Sequence, residues 1–188
     1  MPNTLKNEFK TYDEFLEISN NSDQRLEYID NLICISPSPS IPHQRISGNL
    51  HALLWNFLRG KSCDVFSAPT DIELIKDEKR NLVIPDLSVI CDKSGFTNNK
   101  YVGVPTLIIE ILSPSNQSHD LVTKMNLYMN YGVKEYWIVN PMKYSLDIYS
   151  LDENGGYEQF CVRHKTGKIE SNIFPELNIS MEDIFSDL

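Results

Sequence analysis

Two carboxylates stand where apolar, strand-like sequence would exclude them. Asp86 follows Pro85 in VIPDLSVICD (residues 83–92), and Glu110 lies between isoleucines in TLIIEILSPS (residues 106–115). An ionised carboxylate in apolar surroundings is costly unless it is paired, hydrogen-bonded or bound to a metal. Pro85 cannot donate to a strand ladder, which places Asp86 at a strand edge, where a side chain can open on a cleft. Two hard oxygen ligands on neighbouring strands suit Mg2+ or Mn2+, which take few protein carboxylates and keep several waters. On spacing alone, salt bridges or edge contacts explain the two acids equally well.

Lys124, Glu27 and His43 are further candidates beside them. Asp120, Lys124 and Tyr128 recur at intervals of four, which puts them on one stripe of a helix. That stripe reads either as a solvated face with an Asp120–Lys124 pair or as a lysine held over the strand of Glu110. A lysine so placed could orient water or stabilise charge developing on a phosphate. Glu27, in RLEYID, reads as a supporting carboxylate or as a cross-strand partner. His43, in SIPHQRIS, marks a helix start, where an imidazole faces a cleft or serves as a cap. No P-loop glycine pattern is present, and no Ser-His-Asp or Cys-His set competes with the acids.

The elements that must position these residues follow from pattern. Thr11 and Glu14 form a capping box for a short helix over 11–19. RLEYIDNLICIS reads as two strands about the tight-turn pair Asp30-Asn31. Ile46, Leu50, Leu53, Leu54, Phe57 and Leu58 recur at helical spacing, predicting an amphipathic helix over 42–58. CDVFSAPTDIELI and NLVIPDLSVIC each read as one strand, separated by the charged turn KDEKRN. TLIIEILS is an apolar run buried on both faces. A helix over 118–131, ended by Gly132, connects it to the buried strand KEYWIVNP. That crossover is long enough to join parallel neighbours with right-handed topology. A hairpin about ENGG and a short helix capped by Ser180 complete the chain. The order predicts an α/β sandwich around a mixed sheet.

The 188 residues read as one domain, 1–188, with an ordinary soluble composition of 41% hydrophobic and 23% charged residues. No apolar run approaches the roughly 20 residues of a membrane helix, and the polar N-terminus has no signal-peptide core. A cytoplasmic protein without a membrane segment is expected. Cys34, Cys63, Cys91 and Cys161 are widely spaced without a CxxC pair, and read as reduced core thiols. The net charge of −9 argues against a general, sequence-independent grip on nucleic acid. Much of that acidity is local: residues 146–188 hold nine acids against three bases.

Residues 85–86 and 110–112, PD followed by EIL, resemble the PD-(D/E)XK signature of restriction-endonuclease-like nucleases. The wider set is more specific: RLEYIDN, SPSPSIPHQRIS, VIPDLSVIC, IIEILSPSNQSHDLVTKMNLYMNYGVKEYWIVNP and LDIYSL. Together, across about residues 10–180, these segments resemble the Uma-two family of endonucleases. The signature lysine would fall at position 112, where this chain has Leu112. In that family the lysine is moved to the following helix, the position of Lys124. The resemblance implies a restriction-endonuclease-like mixed β-sheet core flanked by helices. It also implies Asp86 and Glu110 as ligands of Mg2+ or Mn2+, the Ile111 carbonyl completing the coordination, Lys124 as the displaced lysine and Glu27 as a supporting acid. The implied activity is hydrolysis of phosphodiester bonds in nucleic acid, DNA before RNA. Sheets and tail hairpins of the kind relatives carry suit a homodimer. The competing reading is an inactive nuclease fold serving as a binding module, and a third is a nuclease that acts only when recruited.

Overall fold

The computed structural model describes residues 9–36, 38–113, 119–186 and 188. Helix α1 (Tyr12–Asn20) begins at the expected capping box, with Thr11 accepting from the Glu14 N–H and Glu14 returning the bond. It is followed by β1 (Leu26–Ile29), β2 (Leu32–Ile35) and α2 (Ile41–Leu58). The β1–β2 turn places Asp30 and Asn31 at φ 48° and 67°, the conformation that a two-residue hairpin of primed type requires. Ser40 caps α2, whose Ile46, Leu50 and Leu54 are fully buried.

Next come β3 (Asp64–Ser67), β4 (Ile72–Lys76), β5 (Lys79–Val83), β6 (Leu87–Ile90), β7 (Tyr101–Val102) and β8 (Leu107–Ile111). The chain ends with α3 (His119–Tyr131), β9 (Glu135–Asn140), β10 (Ser145–Leu151), β11 (Tyr157–His164) and α4 (Met181–Ile184). The expected start of α3 at Ser118 lies outside the described residues.

Two mixed sheets form, where one was expected. One has the order β11-β10-β9-β8-β6-β3 and the other β2-β1-β5-β4-β7. Each contains a single parallel pair, β8–β9 in the first and β4–β7 in the second. The parallel β8–β9 pair, linked through α3, is the crossover anticipated from the pattern.

The second sheet arises because each of two expected strands is broken at a proline. CDVFSAPTDIELI divides into β3 and β4 around Pro69, and NLVIPDLSVIC divides into β5 and β6 around Pro85. Proline has no N–H for the ladder and restricts the residue before it. Residues 64–90 therefore form one long hairpin, bent in the middle. Its base, β3–β6, belongs to the six-stranded sheet, and its tip, β4–β5, belongs to the five-stranded one. The Ala68 N–H donates to the Asp86 carbonyl at 2.9 Å across the bend. Asp86 thus occupies a corner between two sheets.

Alternation along β8 separates the two main cores. Leu107, Ile109 and Ile111 pack with α2, α4 and Trp137, while Ile108 faces Leu127, Tyr128 and Tyr136 on the α3 side. Glu110 shares the α3 face with Ile108, as period two requires.

Cys63 and Cys91 correct the reading of four reduced thiols: they are joined in a disulfide. They lie one step beyond the Asp64↔Ile90 pair of the β3–β6 ladder, an adjacency that 28 intervening positions conceal. Cys161 is a buried core residue. Among the described residues, no helix is long and apolar enough to cross a membrane.

Gly132 ends α3 at φ 86°, with the Val133 N–H bonded to the Tyr128 carbonyl at 3.0 Å. No atom would crowd a Cβ there, so replacement meets only the backbone cost of the left-handed region. Gly132→Ala should lower stability by about 1 kcal/mol in urea denaturation, and Gly132→Asn by less.

Candidate metal and nuclease site

The β6–β8 register pairs Leu87 with Ile109. Carried one step further, it sets Asp86 opposite Glu110, on the face covered by α3. The contact extends to the backbone: the Ile111 N–H donates to Asp86 Oδ2 at 2.7 Å. The next amide, Leu112 N–H, goes the other way to the Val139 carbonyl at 2.8 Å. Since N–H and C=O of a strand residue leave by the same edge, the Ile111 carbonyl also faces the Asp86 side.

Lys124 enters from α3. Its Nζ is 3.0 Å from Glu110 Oε1 and 3.0 Å from Glu27 Oε1. The lysine therefore bonds one acid from each sheet. Glu27 has a second task, accepting the Ile84 N–H at 2.8 Å, and so closes the bend at Pro85. Tyr128, four residues along the helix from Lys124, donates to Glu110 Oε1 at 2.8 Å. The side chain of Asp120, expected on the same stripe, lies outside what is described.

His43 approaches from the first turn of α2, with Nε2 3.1 Å from Asp86 Oδ2. The structure thus brings together Asp86, Glu110, Ile111, Lys124 and Glu27, and adds Tyr128 and His43. Tyr128 was on the predicted stripe but carried no expected role, and its spacing from Lys124 was the available signal. For the His43–Asp86 contact, sequence offered only a histidine at a helix start, 43 positions away.

The distribution of donors over the carboxylate oxygens separates this site from the buried acids elsewhere. Glu135 is buried in β9, yet both of its oxygens are satisfied: Trp137 Nε1 donates to one, and the Asn172 and Ile173 N–H groups to the other. Glu73 is likewise saturated, with Arg80 on one oxygen and Lys100 on the other. At the site, every donor to Asp86 lands on Oδ2, and every donor to Glu110 and to Glu27 lands on Oε1. Among the described residues, Asp86 Oδ1, Glu110 Oε2 and Glu27 Oε2 receive no hydrogen bond.

The electrostatics follow the same pattern. Burial, opposed by Lys124 but reinforced by Asp86 and Glu27, raises the Glu110 carboxyl to about 7. Burial works against a charged lysine, but Glu110 and Glu27 outweigh it and hold Lys124 well above its ordinary range. For His43, burial favours the neutral ring, and the bond to Asp86 overcomes this to move it upward.

With Glu110 ionised, three carboxylates outnumber the Lys124 ammonium and the His43 imidazole together, an excess of negative charge that a divalent cation would balance. Among the described residues, no group of three or more His, Cys, Asp or Glu side chains is arranged to hold a metal. A paired set of hard oxygens fits Mg2+ or Mn2+, which bind through one or two carboxylates and complete their shells with water and phosphate. It does not fit a structural zinc centre.

An uncharacterized protein of Synechocystis (slr1290) is 28% identical over 146 residues, covering 77% of this chain and 76% of that protein. A second from the same organism (sll1609) is 28% identical over 139 residues, covering 72% and 77%. The crystal structure of a "putative nuclease belonging to DUF820" from Anabaena variabilis superposes with a TM-score of 0.76 at 22% identity, covering 94% of this chain and 98% of that one. That likeness establishes the shared fold. Residues 12–182 match the Uma2 family, described as "Putative restriction endonuclease", and this chain belongs to that family.

Proposed function

We propose that this protein is a divalent-cation-dependent nuclease that hydrolyses phosphodiester bonds, with DNA as the first substrate to test. Asp86 and Glu110 are the residues that would hold Mg2+ or Mn2+, with the Ile111 carbonyl as a further oxygen ligand. One observation carries the reading: two facing carboxylates which, among the described residues, each take all of their donors on one oxygen and none on the other. The two buried acids away from the site, Glu135 and Glu73, are by contrast saturated on both oxygens.

When bound, the cation supplies positive charge to the phosphate and lowers the pKa of water. The protein's own groups supply positioning. Lys124 remains cationic and mostly buried, with 15% of its side chain exposed. It presents its remaining donor capacity beside Glu110, where it can orient an attacking water or stabilise charge on the phosphate. Tyr128 and Lys124 together fix Glu110, so its bare oxygen is held in place before a ligand arrives. Glu27 anchors Lys124 to the bend that carries Asp86. No covalent enzyme intermediate is needed. Residues that read from the sequence as neighbours of the chemistry thus take distinct roles: Asp86 and Glu110 bind, Lys124 acts on the reacting groups, and Glu27 positions.

Mn2+ at 100 times its dissociation constant should stabilise the wild type by about 2.7 kcal/mol, a rise in Tm of roughly 5–10 °C for a domain of this size. The Asp86→Ala, Glu110→Ala double variant should show no rise, and no cleavage of DNA. A wild type that does not respond to either ion sinks the metal site and leaves the fold as a binding module.

Proton competition gives the next expectation. With its carboxyl raised to about 7, Glu110 is protonated below that pH, and a cation must displace the proton. Affinity for Mn2+ by calorimetry should therefore be about tenfold weaker at pH 6 than at pH 8. Proton release on binding should be largest on the acid side.

Lys124→Ala should abolish cleavage and also lower metal-free stability by about 3 kcal/mol, because it leaves Glu27 and Glu110 facing each other without a cation. Added Mn2+ should restore part of that loss in a denaturation experiment. Unchanged stability in this variant would mean that the three-way contact does not hold the helix to the sheets.

A further inference from the structure

His43 is buried, with only 6% of the residue exposed, and one of its two ring nitrogens is unaccounted for. Nε2 faces Asp86 Oδ2 at 3.1 Å, whereas Nδ1 is buried with no hydrogen-bond partner among the described residues. A buried polar atom left unpaired costs about 1–3 kcal/mol, so the polar contact of this imidazole is the one that Nε2 makes. Asp86 Oδ2 is an acceptor, which requires a proton on Nε2, whether or not Nδ1 also carries one.

The same carboxylate oxygen also receives the Ile111 N–H at 2.7 Å. Two donors from different directions, one on α2 and one on β8, converge on Oδ2 and fix the carboxylate plane. Rotation of Asp86 about its terminal torsion would break both bonds. The imidazole is itself placed by a helix whose Ile46, Leu50 and Leu54 are fully buried, so its position does not drift with the solvent.

We infer that His43 is a positioning residue, which holds Asp86 Oδ2 with Ile111 and thereby presents Oδ1 to the divalent cation. The inference rests on Asp86 being a ligand, as proposed above. His43 itself does not ligate, because its Nε2 is committed to the carboxylate and its Nδ1 is buried. Partners of this kind, one step removed from the metal, change metal affinity by about 10–100-fold when removed.

The test measures Mn2+ binding by calorimetry on the full chain, which does not depend on catalysis. His43→Leu fills much of the same space without a donor, while His43→Gln can return an N–H to Oδ2. The dissociation constant should rise about 10–100-fold in the Leu variant and recover most of the way in the Gln variant. Equal weakening in both variants would make His43 a packing residue and overturn the inference. So would affinities unchanged from wild type in both. If the Leu variant lacks a cooperative unfolding transition, His43→Ala replaces it in the comparison. Absence of binding in the wild type would fail at the earlier step, the metal site itself, and is distinguishable because it precedes any effect of His43.

Discussion

Lys124 is the contact on which the two-sheet arrangement turns. Its ammonium bonds Glu27 of β1 in the five-stranded sheet and Glu110 of β8 in the six-stranded sheet, each at 3.0 Å, while its backbone belongs to α3. One positive charge thus joins the consecutive elements β8 and α3 to β1, 97 positions earlier in the chain. Removing a mostly buried cation from between two carboxylates is among the more costly changes available to a protein. The same charge keeps Glu110 partly ionised against the effect of burial. Stability and the ionisation of Glu110 are therefore properties of a single cluster.

Around that cluster, the bent hairpin does the geometric work. A straight hairpin over residues 64–90 would have kept Asp86 within a ladder. The breaks at Pro69 and Pro85 send its tip into the second sheet and leave Asp86 at the corner, opposite Glu110. Glu27 then takes the Ile84 N–H that the break leaves over. One acid thus repairs the backbone at the bend and tethers the lysine that serves the neighbouring acids. This accounts for a carboxylate in β1 that cross-strand pairing alone did not explain.

Local features were legible in the sequence because local physics produces them. The Thr11–Glu14 capping box, the Asp30-Asn31 turn, Gly132 as a helix stop and the β8–α3–β9 crossover all depend on residues within a few positions or on periodicity. Asp86 and Glu110 stood out because carboxylates in apolar runs need a reason. Lys124 was reached through its helical stripe with Asp120 and Tyr128 and through a family likeness, and its geometry beside Glu110 is a fact of tertiary structure. What escaped was non-local. An apolar run through a proline looks continuous, so two bent strands read as straight and two sheets as one. The Cys63–Cys91 disulfide needed the hairpin register, and His43 needed the approach of α2 to the end of β6. Neither has a signature in linear spacing.

If the protein works as proposed, Asp86 and Glu110 share one divalent ion. Diffraction from crystals soaked in Mn2+, with data collected to reveal manganese anomalous scattering, tests it most directly. One strong peak in contact with both Asp86 and Glu110 is expected, with Lys124 still bonded to Glu110. A saturating soak with no peak there, or a peak that touches neither acid, would contradict it.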